Sequence, residues 1–179
     1  MLNMLATMTT GPWSTNLGLL VLRAILGFVM VAHGYNHIFG GGKIKGTAGW
    51  FESLGMKPGI VHAWAASITE LGAGILVMVG LLTPLAAAGV IGVMVVALLT
   101  NHLKNGFFIF RPGEGYEYVV TLILGAVAIG CTGPGAWSID AHLKVVTNLS
   151  PVSQVALTIV PGVLGALALL AACWRPVKR

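Results

Sequence analysis

The sequence predicts an all-α membrane protein, and three observations carry that expectation. Hydrophobic residues fill 56% of its 179 positions and charged residues only 8%, a balance that ordinary water-soluble domains do not show. Mean hydropathy is +0.91. The apolar residues gather into five runs close to the length of about 20 residues that a bilayer crossing requires. No polar linker of domain-separating length interrupts them, so a single domain is expected.

Residues 1–16 hold no Lys or Arg, so the basic start of a secretory signal peptide is missing. This N-terminal tail should lead into a retained first span at 17–39. The second span is expected at 60–82 and the third at 84–103, joined by a turn so short that the two must be antiparallel neighbours. A fourth, at 116–132, is on the short side. The fifth, at 152–174, follows Pro151, which suits a first helical turn, and contains Pro161, which should kink it. Spacings such as Ala126 with Gly130 and Gly162 with Ala166 permit close helix contacts. In the first loop Trp50, Phe51 and Leu54 share one helical face while Lys45, Glu52 and Ser53 point elsewhere, the pattern of a short interfacial helix. The expected organisation is a four-helix bundle at 17–140, a loop at 141–151, the fifth transmembrane helix at 152–174 and a basic tail at 175–179.

Five spans place the termini on opposite sides of the membrane. Lys43, Lys45, Lys57, Lys104, Arg111, Arg175, Lys178 and Arg179 fall on one side and Lys144 alone on the other. The positive-inside rule then puts the N-terminus outside and the C-terminus in the cytoplasm. The net charge of +5 therefore reads as a topology signal, and no nucleic-acid-binding motif accompanies it. Cys131 and Cys173 lie at opposite faces in this topology, which excludes a thiol relay between them and suits small packing residues. Haem, iron-sulfur, dinucleotide and P-loop signatures are missing.

Polar groups inside membrane spans are costly, roughly 2.5 to 3.5 kcal/mol for a central charge on insertion scales, so each should face the bundle interior and have a partner. They are Arg23, His33, His37, Glu70, Asn101, His102 and Glu117. His33 and His37 stand at i and i+4 and project from one helix face. At 1.5 Å of rise per residue His33 lies about 9 Å, Glu70 about 15 Å and Arg23 about 24 Å from the cytoplasmic ends of their helices. Glu70 is thus within reach of either neighbour, and mutual neutralisation would justify an Arg23–Glu70 pair. His37, Asn101, His102 and Glu117 belong to the cytoplasmic mouth, while His62 and His142 sit near interfaces and are expected to be solvated. The residue types suit a proton-coupled small-molecule site, and equally a polar network that fixes helix register. No HExxH or paired ExxH motif supports a metal.

Seven short strings, in order, carry a family resemblance. They are His33-Gly34 with Phe39-Gly40, GTAGWFESLGMKP at 46–58, TELGAG around Glu70, GLLTP closing the second span, NHLKNGFF at 101–108, GEGYEY at 113–118 and TGPGAWSID at 132–140. Over residues 19–140 the chain resembles the DoxX family of bacterial membrane proteins. The resemblance implies a compact DoxX-like four-helix transmembrane bundle in the bacterial plasma membrane, with the fifth C-terminal helix an addition available as a docking surface. His37 stands where the family commonly has lysine, which removes a constitutive cation. Family members look like parts of redox assemblies: a related family supplies the membrane subunit of a thiosulfate:quinone oxidoreductase, and DoxX-like proteins are linked to a membrane oxidoreductase assembly with superoxide dismutase and a sulfurtransferase.

The leading expectation is a membrane protein serving a redox process with a quinone, menaquinone or ubiquinone, or a similar apolar ligand in the cytoplasmic half of the bundle. His33, Glu70 and His102 would be its catalytic, proton-exchanging groups. His33, His37, Glu70, Asn101, His102 and Glu117 would line the ligand site. The alternative is a non-catalytic accessory subunit whose polar cluster is structural and whose partners are membrane or peripheral proteins of a larger complex. A transporter is disfavoured by the lack of an inverted repeat.

Overall fold

The computed structural model of the chain describes residues 12–146 and 148–176. Residues 1–11 of the expected tail and residues 177–179 of the expected basic tail, Lys178 and Arg179 among them, lie outside the described residues. Helix α1 spans Trp13–Phe39, so the first span begins within the expected tail. A glycine turn leads to α2, Lys43–Ser53, the short helix expected in the first loop. Helix α3 is Gly59–Val79 and α4 is Thr83–Ala97. The fourth helix continues through a wider π turn, Leu98–His102, and a tight turn, Leu103–Asn105. Beyond these turns come α5, Glu117–Thr132, the short α6, Ile139–Leu143, and α7, Pro151–Cys173. Among the described residues four stretches are long and apolar enough to cross a membrane, and α5 is a shorter apolar helix.

Close packing at small residues sets the arrangement. Helices α1 and α3 run antiparallel along their lengths because glycine lets their backbones meet: a Cβ on Gly27 would lie 2.5 Å from the Gly74 carbonyl, and one on Gly34 would lie 2.9 Å from the Ser67 carbonyl. Helix α4 is central, packing on α3, α5 and α7. Its buried Val90 and Ile91 join Leu26, Met30, Val77 and Ile129 in the main core. The fifth span packs closely into this bundle. A Cβ on Gly162 would lie 2.7 Å from the Ala88 carbonyl, and one on Gly130 would run into Thr158. The end of α7 is tied back to the α2–α3 turn, where Trp174 Nε1 donates to the Leu54 carbonyl at 2.9 Å and the Arg175 amide to the Gly55 carbonyl at 2.9 Å.

Antiparallel register also decides the partner of Arg23, which is not Glu70. With Gly27 facing Gly74, Arg23 faces Met78, and Glu70 lies eight residues away, about 12 Å along the helix. The buried guanidinium donates instead to the carbonyls of Met78 and Trp137. Beside it Asp140, fully buried, accepts from the amides of Leu82 and Thr83 at 2.8 and 2.9 Å and from the Thr83 hydroxyl at 2.7 Å. Its carboxylate, carried on the short helix α6, therefore caps α4, where the helix dipole favours negative charge.

Candidate functional site

At the other end of the bundle, α1 and α3 bring two side chains together that are far apart in sequence. Side chains in a helix lean toward its N-terminus, so on antiparallel neighbours His37 leans back along α1 while Glu70 leans toward it along α3. His37 Nδ1 and Glu70 Oε2 meet at 3.0 Å, with the glutamate side chain 4% exposed and the histidine 19%. The approach is off the angle of a regular hydrogen bond, and neither atom has another hydrogen-bonding partner among the described residues. Buried carboxylate and imidazole atoms left this way are costly.

Both residues line a cavity of about 530 Å³. His33 lines it too, one helical turn from His37, with its Nε2 3.2 Å from the Tyr118 hydroxyl of α5. The π turn after α4 adds Asn101 and His102. A carbonyl only accepts, so the 3.0 Å contact of His102 Nδ1 with the Glu114 carbonyl places the proton on Nδ1. Nε2 is left as acceptor, and Asn101 Nδ2 lies 3.4 Å from it. A π turn inserts one extra residue per turn and rotates the side chains beyond it, a feature frequent at functional sites.

Away from this polar end the lining becomes apolar. It runs along α4 through Val93, Gly92, Gly89 and Ala88 to Leu85, and along α7 from Leu169 through Gly165 to Pro161. From His102 back to Leu85 the helix rises about 25 Å, so the cavity is long, polar at one end and apolar over the rest. Helix α2 covers part of it with Trp50 and Phe51, and Met56 of the α2–α3 turn adds to that cover. His37 also faces a shallow surface depression lined by Asn36, Gly40, Lys43, Gly46 and Thr47, and so lies between that surface and the cavity.

The structure thus brings His33, His37, Glu70, Asn101 and His102 to one cavity. Glu117 is not among its lining residues; its carboxylate accepts from the Ile109 amide at 2.8 Å and holds the preceding loop. His62 is buried, 4% exposed, where a solvated side chain was expected. It lies under α2 with its ring 6.3 Å from that of Phe51 and lines the cavity. Tyr118, Glu114 and the α7 residues carry no signal in the sequence that marks them as lining residues. Tyr118 follows Glu117 by about 100° of helix rotation, enough to turn it inward. No group of three or more His, Cys, Asp or Glu side chains among the described residues is placed to hold a metal ion.

Residues 18–103 match the family model described as DoxX. The uncharacterized membrane protein Rv3486 of Mycobacterium tuberculosis is 27% identical over 131 residues, covering 69% of this chain and 79% of that protein. A Bacillus subtilis protein named "Putative oxidoreductase CatD" is 28% identical over 127 residues, covering 71% of this chain and 87% of its own. No solved structure gives a significant match.

Proposed function

Residues 18–103 belong to the DoxX family, and from that premise we propose that this multi-pass membrane protein binds a quinone, menaquinone or ubiquinone, and serves a redox process in the bacterial plasma membrane. The observation that carries the reading is the long cavity with the underbonded His37–Glu70 pair at its polar end. A ring bearing oxygen acceptors fits that end, since His37, the Tyr118 hydroxyl and Asn101 offer N–H and O–H groups, and an apolar chain fits the remainder. The oxidoreductase in the Bacillus relative's name supports a redox role.

A bound quinone would supply a two-electron, two-proton couple. The protein's own groups do the rest. Glu70 and His37 hold and pass a proton at Oε2 and Nδ1, and His37 connects that pair to the depression at the start of α2. Tyr118 orients His33, and the Glu114 carbonyl fixes the tautomer of His102. Burial of Glu70, whose side chain is 4% exposed, strengthens its interaction with His37. By the positive-inside rule the polar end faces the cytoplasm and the N-terminus lies outside. The electron donor is then a membrane or peripheral protein partner.

The test is purification in mild detergent followed by solvent extraction and mass spectrometry of bound lipids. Menaquinone or ubiquinone should copurify near one equivalent and be lost in Glu70→Leu. Folded protein that neither carries nor binds a quinone would refute the proposal.

A further inference from the structure

The apolar half of the cavity has a geometry of its own. Helices α3 and α7 both pack along α4 and leave a slot between them. Its floor is Ala88, Gly89 and Gly92 on α4, and its sides include Thr69 on α3 with Pro161 and Gly165 on α7. The floor is in contact with both neighbouring helices, a Cβ on Gly89 lying 3.0 Å from Ala73 Cβ and one on Gly92 3.4 Å from the Gly162 carbonyl, and the open space lies beside Gly165. A Cβ built on Gly165 meets nothing within 4 Å, and Pro161, Gly165, Leu169 and Ala65 are exposed although each lines the cavity. These residues sit within the spans, so what they are exposed to is the hydrocarbon of the bilayer.

We infer that this slot is a lateral opening to the membrane that seats the single hydrocarbon chain of an amphiphile whose polar head lies at His37 and Glu70. The inference rests on the quinone reading and deepens it, because it assigns the ligand a long chain and a route from the bilayer plane. Continuity carries the argument: the slot and the polar end are one cavity. That cavity is about 25 Å long, more than a ring head group needs. A floor of alanine and glycine between two helices accommodates one chain, and an apolar chain leaves no polar group unpaired there.

The test uses two probes titrated into protein in phosphatidylcholine nanodiscs, with concentrations counted per lipid. One is the tail-less benzoquinone head of ubiquinone, and the other is the same head with a decyl chain. Gly165→Trp fills the slot from α7 at a position with free space, and Ala65→Trp does so from α3. Both variants should bind the decyl probe roughly tenfold more weakly, since its chain then meets an indole, while their affinity for the tail-less head stays within about twofold of wild type. Wild-type affinity for the decyl probe in both variants overturns the slot and leaves the polar head site standing. Wild-type protein that binds neither probe overturns the quinone reading and the slot with it.

Discussion

Replacing His37 by leucine tests the His37–Glu70 pair as an energetic unit. Glu70 is 4% exposed and His37 is 3.0 Å from it. At that separation and an effective dielectric near 20, Coulomb's law gives an attraction of about 5 kcal/mol between full charges, much of it offset by desolvation. Removing the imidazole strands a buried carboxyl, so His37→Leu should lose about 3 kcal/mol of stability. The opposite deletion differs. In Glu70→Leu the histidine, 19% exposed and facing the depression beside Gly40 and Gly46, can turn toward water, and a loss of about 1 kcal/mol is expected. The double variant should lose about 2 kcal/mol, so the coupling between the sites is about 2 kcal/mol. Equilibrium unfolding in mixed micelles of rising SDS fraction, followed by far-UV circular dichroism, measures all four proteins. Additive losses, with a coupling under about 0.5 kcal/mol, would refute the pairing. Equal losses in the two single variants would refute the asymmetry.

Gly34→Val should cost about 1 to 3 kcal/mol in the same assay, because a Cβ there already lies 2.9 Å from the Ser67 carbonyl and from Leu71 Cγ. It should also weaken the tail-less quinone by pushing His37 away from Glu70, and unchanged stability would count against the α1–α3 contact. Asp140→Ala should cost about 2 kcal/mol, at the upper end for a cap, since it leaves the Leu82 and Thr83 amides at the start of α4 without their acceptor. The folded fraction should bind the quinone head normally, and a selective binding defect would contradict the separation of the two clusters.

Hydropathy alone made the helices legible, because lipid requires long apolar runs and those runs are unambiguous in this composition. The bounds of α1 and α5 shift by only a few residues from expectation. The spacing of His33 and His37 likewise placed both on one face and in one cavity. What the sequence hid depends on register and local backbone. Depth along the spans left Glu70 within reach of both Arg23 and His33, and only the Gly27–Gly74 contact shows that Arg23 sits opposite Met78. The π turn that carries Asn101 and His102 has no periodic signature. His62 is close to a helix start, a position that suggests solvation, and only the fold of α2 puts Phe51 against it. The Gly162–Ala166 spacing marked the fifth helix for a close contact, but not its partner, which is the Ala88 carbonyl of α4.

Two polar clusters therefore stand at opposite ends of one apolar bundle, and residue type does not tell them apart: each contains a basic group and a carboxyl. Their bonding does. Asp140 has both oxygens engaged by α4, and Arg23 donates through both terminal nitrogens, leaving only Nε without a partner. Neither residue lines the large cavity. Such a cluster fixes register and caps a helix, and its worth lies in being complete. His37 and Glu70 keep polar atoms without a regular hydrogen bond while facing open space that continues into an apolar slot. Beside Gly165 that slot is unfilled, a packing cost that a resident ligand would offset. The matched family segment, residues 18–103, supplies the histidines, Glu70, Asn101 and His102. Helix α7, outside it, supplies one wall for the chain. On the proposed reading, Ala88, Gly89 and Gly92 of the family segment form the floor under the chain and Pro161 and Gly165 of α7 one side of it, so substitutions in α7 are expected to alter chain binding while leaving His37 and Glu70 in place.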